Sequence, residues 1–419
     1  MYKKMLPEGF LWGSSVSSYQ VEGDNYNQWS EWEQVNAERL AKTSEWRLKE
    51  IPNWQAIKNE AKKKENYISG NGVEHFTRFE KDFALLKQLN MNAFRFSVEW
   101  SRIEPKEGQW DVRAIDHYHH YIAELKRLGI EPFLTIWHWT VPVWFAEKGG
   151  FEKRRNLSYF EHFVAKVAKE FGQELDYVII LNEPNLYAIS SYVQGNWPPQ
   201  QRNPLLAIYV FYNLACAHRR AYLLLKSDYP SLAIGTAAQL GNVRPKGTKN
   251  IINRLTVKII SYCFNWWFLN RIKGYLDFIG LNYYFTTYHN WYGLTRNPPR
   301  PLSDLGWYME PSGIQPLLET LWHRFRKPII ITENGLADNN DIHRQWWLEQ
   351  TMIAMKGAIR NGVQLFGYLH WSLLDNFEWQ YGWWPKFGLI AVDRRTMKRT
   401  IRPSARWFAK QIKQIQQIT

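Results

Sequence analysis

Apolar residues along this chain alternate between two rhythms. Short runs of apolar or β-branched residues, closed by turn residues, read as buried parallel strands. They fall at residues 10–19, 93–99, 131–138, 177–183, 232–238, 277–284, 328–333 and 363–371. Between them lie stretches with an apolar residue every third or fourth position, the mark of amphipathic helices. Residues 73–89 carry Phe76, Phe79, Phe83 and Leu86 on one such stripe. Further helices are predicted at 115–128, 157–171, 205–228, 251–270, 317–325 and 341–361. A closing helix over 404–418 follows Pro403 and aligns Phe408, Ile412, Ile415 and Ile418. The polar stretch 25–72, helical at 37–50 and 55–65, reads as an insertion over the mouth of the fold. No linker, composition shift or repeat divides the chain. Eight strands alternating with helices predict an α/β fold, a single (β/α)8 TIM barrel over 1–419 with loop insertions on its carboxyl-end face.

Composition narrows the function classes. The net charge is +14, from 53 Lys and Arg against 39 Asp and Glu. These cations are scattered and accompany no nucleic-acid-binding motif, so nucleic acid is set aside. Peripheral contact with an anionic membrane is kept as a disfavoured reading, carried by the charge and by the apolar stretch 259–269. That stretch is too short to span a bilayer and is bounded by Lys258 and Arg271. Cys216 and Cys263 have neither metal-ligand spacing nor a disulfide framework. The first residues lack the apolar core of a signal peptide. A reducing, cytoplasmic setting is therefore expected, with no metal and no cofactor; the oligomeric state is not legible. The 23 Trp are many for a globular chain. Most are expected to fill the core and a few to offer flat faces to sugar rings.

Two strands end in a carboxylate. Residues 177–184 read Tyr-Val-Ile-Ile-Leu-Asn-Glu-Pro, delivering Glu183, and 328–335 read Pro-Ile-Ile-Ile-Thr-Glu-Asn-Gly, delivering Glu333. A carboxylate is poorly placed there for packing and well placed for chemistry, because barrel active sites form where strands end. Gln20, Arg95, His138, Trp139, Asn182, Asn282, Tyr284 and Trp371 also fall at strand ends. Taken singly, each has an ordinary explanation as an ion-pair partner, a core histidine or a packed aromatic. Together they surround a carboxylate pair, the arrangement that glycoside hydrolysis requires.

Seven motifs in order give the chain a family resemblance. They are Phe-Leu-Trp-Gly-Ser-Ser-Val-Ser-Ser-Tyr-Gln-Val-Glu-Gly (10–23), Phe-Arg-Phe-Ser-Val-Glu-Trp-Ser-Arg-Ile (94–103), Trp-His-Trp (137–139), Asn-Glu-Pro (182–184), Asn-Tyr-Tyr (282–284), Ile-Thr-Glu-Asn-Gly (331–335) and Trp-Ser-Leu-Leu-Asp-Asn-Phe-Glu-Trp (371–379). The chain resembles glycoside hydrolase family one, retaining β-glucosidases and β-galactosidases. The resemblance implies Glu333 as nucleophile and Glu183 as acid/base. Arg95 and Tyr284 would support the nucleophile, and Asn182 would bond the sugar 2-hydroxyl. Gln20, His138, Trp139, Glu378 and Trp379 would hold the other hydroxyls, Trp371 would form the stacking floor, and Trp307 would border the leaving group. The implied activity is exo-hydrolysis of β-glucosides, with β-galactosides and β-fucosides as further candidates. Its alternatives are a transglycosidase, a membrane-associated glycosidase for alkyl or lipid glycosides and, outside the enzyme class, an inactive sugar-binding protein. Glu378 with Trp379 resembles the branch that takes unphosphorylated sugars. Asn185 departs from the aromatic that many family members carry after Asn-Glu-Pro, which points to an altered leaving-group site.

Overall fold

The computed structural model describes residues 6–247, 250–294 and 301–417. Eight parallel strands close a barrel in sequential order. They are β1 (Leu11–Ser15), β2 (Ala93–Ser97), β3 (Glu131–Trp137), β4 (Tyr177–Asn182), β5 (Ala233–Gln239), β6 (Phe278–Asn282), β7 (Ile329–Asn334) and β8 (Leu365–Trp371). Each coincides with one of the predicted runs. The run at 10–19 is shorter than its pattern, because the chain leaves β1 and turns into a short helix, Ser18–Val21.

The two-residue side-chain period of a strand sorts the barrel interior into layers. Ala93, Phe133, Ile179, Ala237, Phe278, Ile330 and Leu369 pack together as an apolar plug. Two residues further along β2, β3 and β7 come Arg95, Thr135 and Thr332, and Asn282 stands four beyond Phe278. These four form a polar layer that is itself buried. The pleat alone would turn Asn182 and Glu333 outward to the helices. Register shifts between Ile179 and Asn182, and between Ile331 and Glu333, turn both back to the axis. Such irregularities re-aim side chains beside functional sites.

The helices bury one stripe each against the outside of the barrel. Val112–Arg127 buries Ile115, Tyr118, Ile122 and Leu125, and Asp111 caps it by accepting from the amides of Arg113 and Ala114. The closing helix, Pro403–Gln416, buries Phe408 and Ile412, with Ile415 packed at its edge; Ile418 lies outside the described residues. The helix predicted at 251–270 is interrupted by a π-helical turn, Tyr262–Trp266. The inserted stretch forms helices Gln28–Lys42, Ser44–Leu48 and Trp54–Ala61. Trp29 from it packs on Trp379, and Asn66 donates to the carbonyl of Tyr381. The insertion thus backs the loop that follows β8. Among the described residues no helix is long and apolar enough to cross a membrane.

Candidate active site

Glu333 ends β7 with both carboxylate oxygens occupied. Arg95 Nη1 donates to Oε1 at 2.5 Å and the Tyr284 hydroxyl donates to Oε2 at 2.6 Å. The guanidinium has no freedom left, since its Nε donates to Thr135 Oγ1 and its Nη2 to Asn182 Oδ1. Charge-assisted bonds of this kind are short and hold geometry. Burial, and then the negative charge of Glu333, push the Tyr284 phenol far above its ordinary range, so it remains a donor. The Asn-Gly after Glu333 reads in the sequence as a turn, and the structure corrects this. Asn334 is the last strand residue, and its side chain donates to the Tyr283 carbonyl and accepts from Trp347 Nε1. Gly335 is required by close approach: a Cβ there would lie 1.8 Å from the carbonyl oxygen of Trp371.

Glu183 sits where β4 becomes helix Pro184–Tyr192, with Pro184 at the first helical position. Its backbone is left-handed, at φ 43° and ψ 56°, a conformation a non-glycine residue holds only when its surroundings fix it. Its amide donates to the Ala237 carbonyl at 2.8 Å, tying the turn to β5. Asn282 Nδ2 donates to Glu183 Oε1 at 2.7 Å, and Asn282 Oδ1 accepts from Thr332 Oγ1 at 2.6 Å. The second bond fixes which end of the amide faces Glu183. Burial raises the Glu183 carboxyl well above the usual carboxylate range, and the nearby Glu333 charge raises it further. Asn282 and Arg95 oppose this more weakly. The two glutamates therefore stand in contrasting environments, Glu333 bound by two donors and Glu183 with its carboxyl raised by burial and by the Glu333 charge.

Around them are the remaining residues singled out from the sequence. Gln20, His138, Trp139, Glu183, Tyr284, Trp307, Glu333, Trp371, Glu378 and Trp379 line one cavity of about 460 Å³. Asn182 and Arg95 are buried beside it, joined by the bond already described. Gln20 accepts from Ser17 Oγ and donates to the Phe377 carbonyl, which anchors it beside Glu378. Glu378 accepts from Asn376 Nδ2 at 3.0 Å, and burial pushes its carboxyl up to about 8. Asn182 Nδ2 lies 3.1 Å from His138 Nε2, and burial beside Arg95 holds that imidazole neutral. Trp139 Nε1 donates to the Asn182 carbonyl. Trp379 is wedged among Trp29, Trp139 and Trp197, with ring centroids 4.6, 4.8 and 6.0 Å away.

Beyond the sugar site the cavity has one apolar wall, with Ser190, Gln194, Gln239, Thr287 and His289 also in its lining. Trp307 packs against Tyr284 and Phe285 at its rim, and Leu186, Ile189, Val243, Ile260 and Phe264 form the wall. Sequence reasoning finds only Trp307 of these, because aliphatic residues on helices look alike whether they face a core or a cavity. Asn282 is visible as a strand-end residue, but nothing local to it signals a bond to Glu183. Asn185 spends its amide on the carbonyls of Gln239 and Phe264, at 2.8 and 3.2 Å. It ties the end of β5 to the π-helical turn.

Comparison with known proteins decides the family. The model for glycosyl hydrolase family 1 matches residues 2–274 and 269–417. The chain belongs to that family. It is 29% identical to beta-glucosidase A of Thermotoga maritima, with 99% of each chain covered. It is 31% identical to a chloroplastic galactolipid galactosyltransferase of Arabidopsis thaliana, over 80% of this chain and 57% of the plant protein. The solved structure of a beta-glycosidase from Pyrococcus horikoshii superposes with a TM-score of 0.86 at 31% identity, covering 99% of this chain and 96% of the other. This family 1 protein is thus a glycoside hydrolase of β-glycosidase type, on the (β/α)8 barrel that its strands predict.

Proposed function

We propose that the chain acts as one barrel domain, residues 1–419, and is a retaining exo-β-glycosidase for unphosphorylated β-glucosides, extending to β-galactosides and β-fucosides. The observation that carries this reading is the contrast between the two carboxyls. Glu333, held by Arg95 and Tyr284, attacks the anomeric carbon. Glu183 gives its proton to the departing glycosidic oxygen, leaving a glycosyl ester on Glu333 and a carboxylate at 183. Ester formation removes the negative charge at Glu333, so one of the influences raising the Glu183 carboxyl disappears. Glu183 then takes a proton from water, whose oxygen attacks the anomeric carbon and frees Glu333.

The other residues orient the ring. Asn182 is placed by Arg95 to meet the 2-hydroxyl. Gln20, His138, Trp139, Glu378 and Trp379 hold the remaining hydroxyls, and Trp371 supplies the flat floor. With its carboxyl at about 8, Glu378 carries a proton near neutral pH and can donate to one hydroxyl while accepting from another. Trp307 borders the leaving group. Both cysteines are free, in keeping with a reducing cytoplasmic setting.

Proton NMR of the first product tests the reading. A nitrophenyl β-glucoside should release β-glucose, which only later mutarotates; α-glucose appearing first would contradict double displacement. The same spectra with added methanol address a second reading, transfer to an alcohol. The apolar wall on the leaving-group side and the galactolipid transferase among the relatives favour it. Methyl β-glucoside exceeding glucose would establish transfer as the main reaction.

A further inference from the structure

The cavity does not end at the sugar site. Its apolar wall includes Ile260, which belongs to the surface helix Ile251–Ser261. That helix is inside out. Its buried residues are Asn253 and Val257, whereas Ile251, Ile252, Leu255 and Ile259, with Tyr262 just beyond, are 50 to 76% exposed. Positions 252, 255, 259 and 262 make one outward stripe at helical spacing. A surface helix of a globular protein normally shows the reverse pattern.

The orientation is held by polar contacts on the inner side. Asn250 caps the helix by accepting from the amides of Ile252 and Asn253. Asn253 donates to the Lys246 carbonyl at 2.7 Å and accepts from the Trp291 amide at 2.9 Å. The second bond brings the turn after Thr286–Asn290 against the helix. That turn carries Trp291 and Tyr292, 63 and 72% exposed. Two elements thus extend one apolar surface beside the cavity mouth, and exposed patches of this kind mark interaction sites.

Charge indicates what covers the patch. Between Asp228 and Asp304 the sequence has one acidic residue, Asp277. It precedes β6, at the amino end of the barrel, and pairs with Lys226 at 2.8 Å. Lys246, Arg254, Lys258 and Lys273 from the same stretch are exposed. An aliphatic stripe with Trp and Tyr beside it and Lys and Arg along it has the composition of a helix lying in a bilayer interface. A second copy of the chain fits worse, because pairing these faces would set basic residues against basic residues.

We propose that this face docks the enzyme on an anionic lipid bilayer, and that the apolar wall of the outer cavity takes β-glycosides whose aglycone is an alkyl chain held in that membrane. The substrate half of the proposal rests on the β-glycosidase reading above. Access then runs from the bilayer past Ile260 to the space between Glu183 and Trp307. The sugar end of such a substrate would sit in the barrel while its chain runs along the wall of Leu186, Ile189, Val243, Ile260 and Phe264.

Sedimentation with vesicles tests this. The full chain is mixed with phosphatidylcholine vesicles, with and without phosphatidylglycerol, at low and high salt. It should sediment with the phosphatidylglycerol vesicles, and less so at high salt. The double variant Leu255→Asp with Ile259→Asp replaces exposed residues outside the cavity, so its melting temperature and its rate on nitrophenyl β-glucoside should match the wild type. Its partition into the vesicles should fall at least about tenfold, since two apolar side chains are lost and two negative charges gained. Hydrolysis of dodecyl β-glucoside carried in those vesicles should fall in parallel. Wild-type protein remaining in the supernatant with both vesicle types would overturn the proposal, as would a double variant that binds normally. A wild-type dimer in light scattering that the double variant converts to monomer would also overturn it, assigning the face to self-association. Failure of the wild type to cleave nitrophenyl β-glucoside would remove the substrate half together with the glycosidase reading, while the vesicle result would still be decided by sedimentation.

Discussion

Glu333→Gln should lose at least about a thousandfold in kcat on aryl and alkyl β-glucosides alike, because every substrate passes through the same nucleophile. The substitution keeps the side chain's volume, and the amide oxygen can still accept from Arg95 or Tyr284. The amide nitrogen is far too weak a nucleophile at the anomeric carbon. Breaking a buried ion pair also costs about 3–5 kcal/mol of stability, so the melting temperature must be read beside the rate. A folded variant with near-normal turnover would show that Glu333 is not the nucleophile. Removing the charge at 333 also withdraws a cause of the raised Glu183 carboxyl, so Glu183 should titrate lower in this variant.

Glu183→Ala should divide substrates by leaving group. An alkoxide departs poorly without a proton, so kcat/KM on alkyl glucosides and disaccharides should fall steeply, by at least about a hundredfold. A nitrophenolate departs readily, so kcat/KM on the aryl glucoside should fall much less. Its hydrolysis still lacks a base, so the glycosyl-enzyme accumulates and KM falls along with kcat. Azide can enter the vacated space and attack without a base, releasing a β-glycosyl azide. On alkyl glucosides the wild type should show an alkaline limb, set by deprotonation of Glu183. It lies above the ordinary carboxylate range, as burial and Glu333 dictate, and should vanish in the variant. Equal damage to aryl and alkyl substrates, with no azide product, would remove Glu183 from the acid/base role.

Much of this site is legible in the chain because a barrel converts sequence pattern into position. A residue at the carboxyl end of any strand reaches the same face, so Gln20 near the start and Glu378 near the end come together without any local signal linking them. What the pattern misses depends on contacts between strands. Strict alternation along β7 would turn Glu333 outward, and only the register shift after Ile331 reverses it. The bond from Asn282 to Glu183 joins β6 to the end of β4, and no periodicity within either strand announces it. Gly335 reads as turn chemistry until the Trp371 carbonyl is found in the space of its missing Cβ. The helix at 251–261 has a clear helical period, but period alone does not say which face is covered. Its buried Asn253 is explained only by the carbonyl of Lys246 and the amide of Trp291.

The most direct test of the central claim is to trap the intermediate. In 2-deoxy-2-fluoro-β-glucosyl fluoride, the fluorine at C2 destabilises the oxocarbenium-like transition states of both steps, while the fluoride leaving group restores the first. The glycosyl-enzyme should therefore accumulate, inactivate the protein and survive digestion. Peptide mapping by mass spectrometry should place one 2-fluoroglucosyl group on Glu333. A label on Glu183 or any other residue, or unlabelled protein that still hydrolyses β-glucosides, would contradict the account.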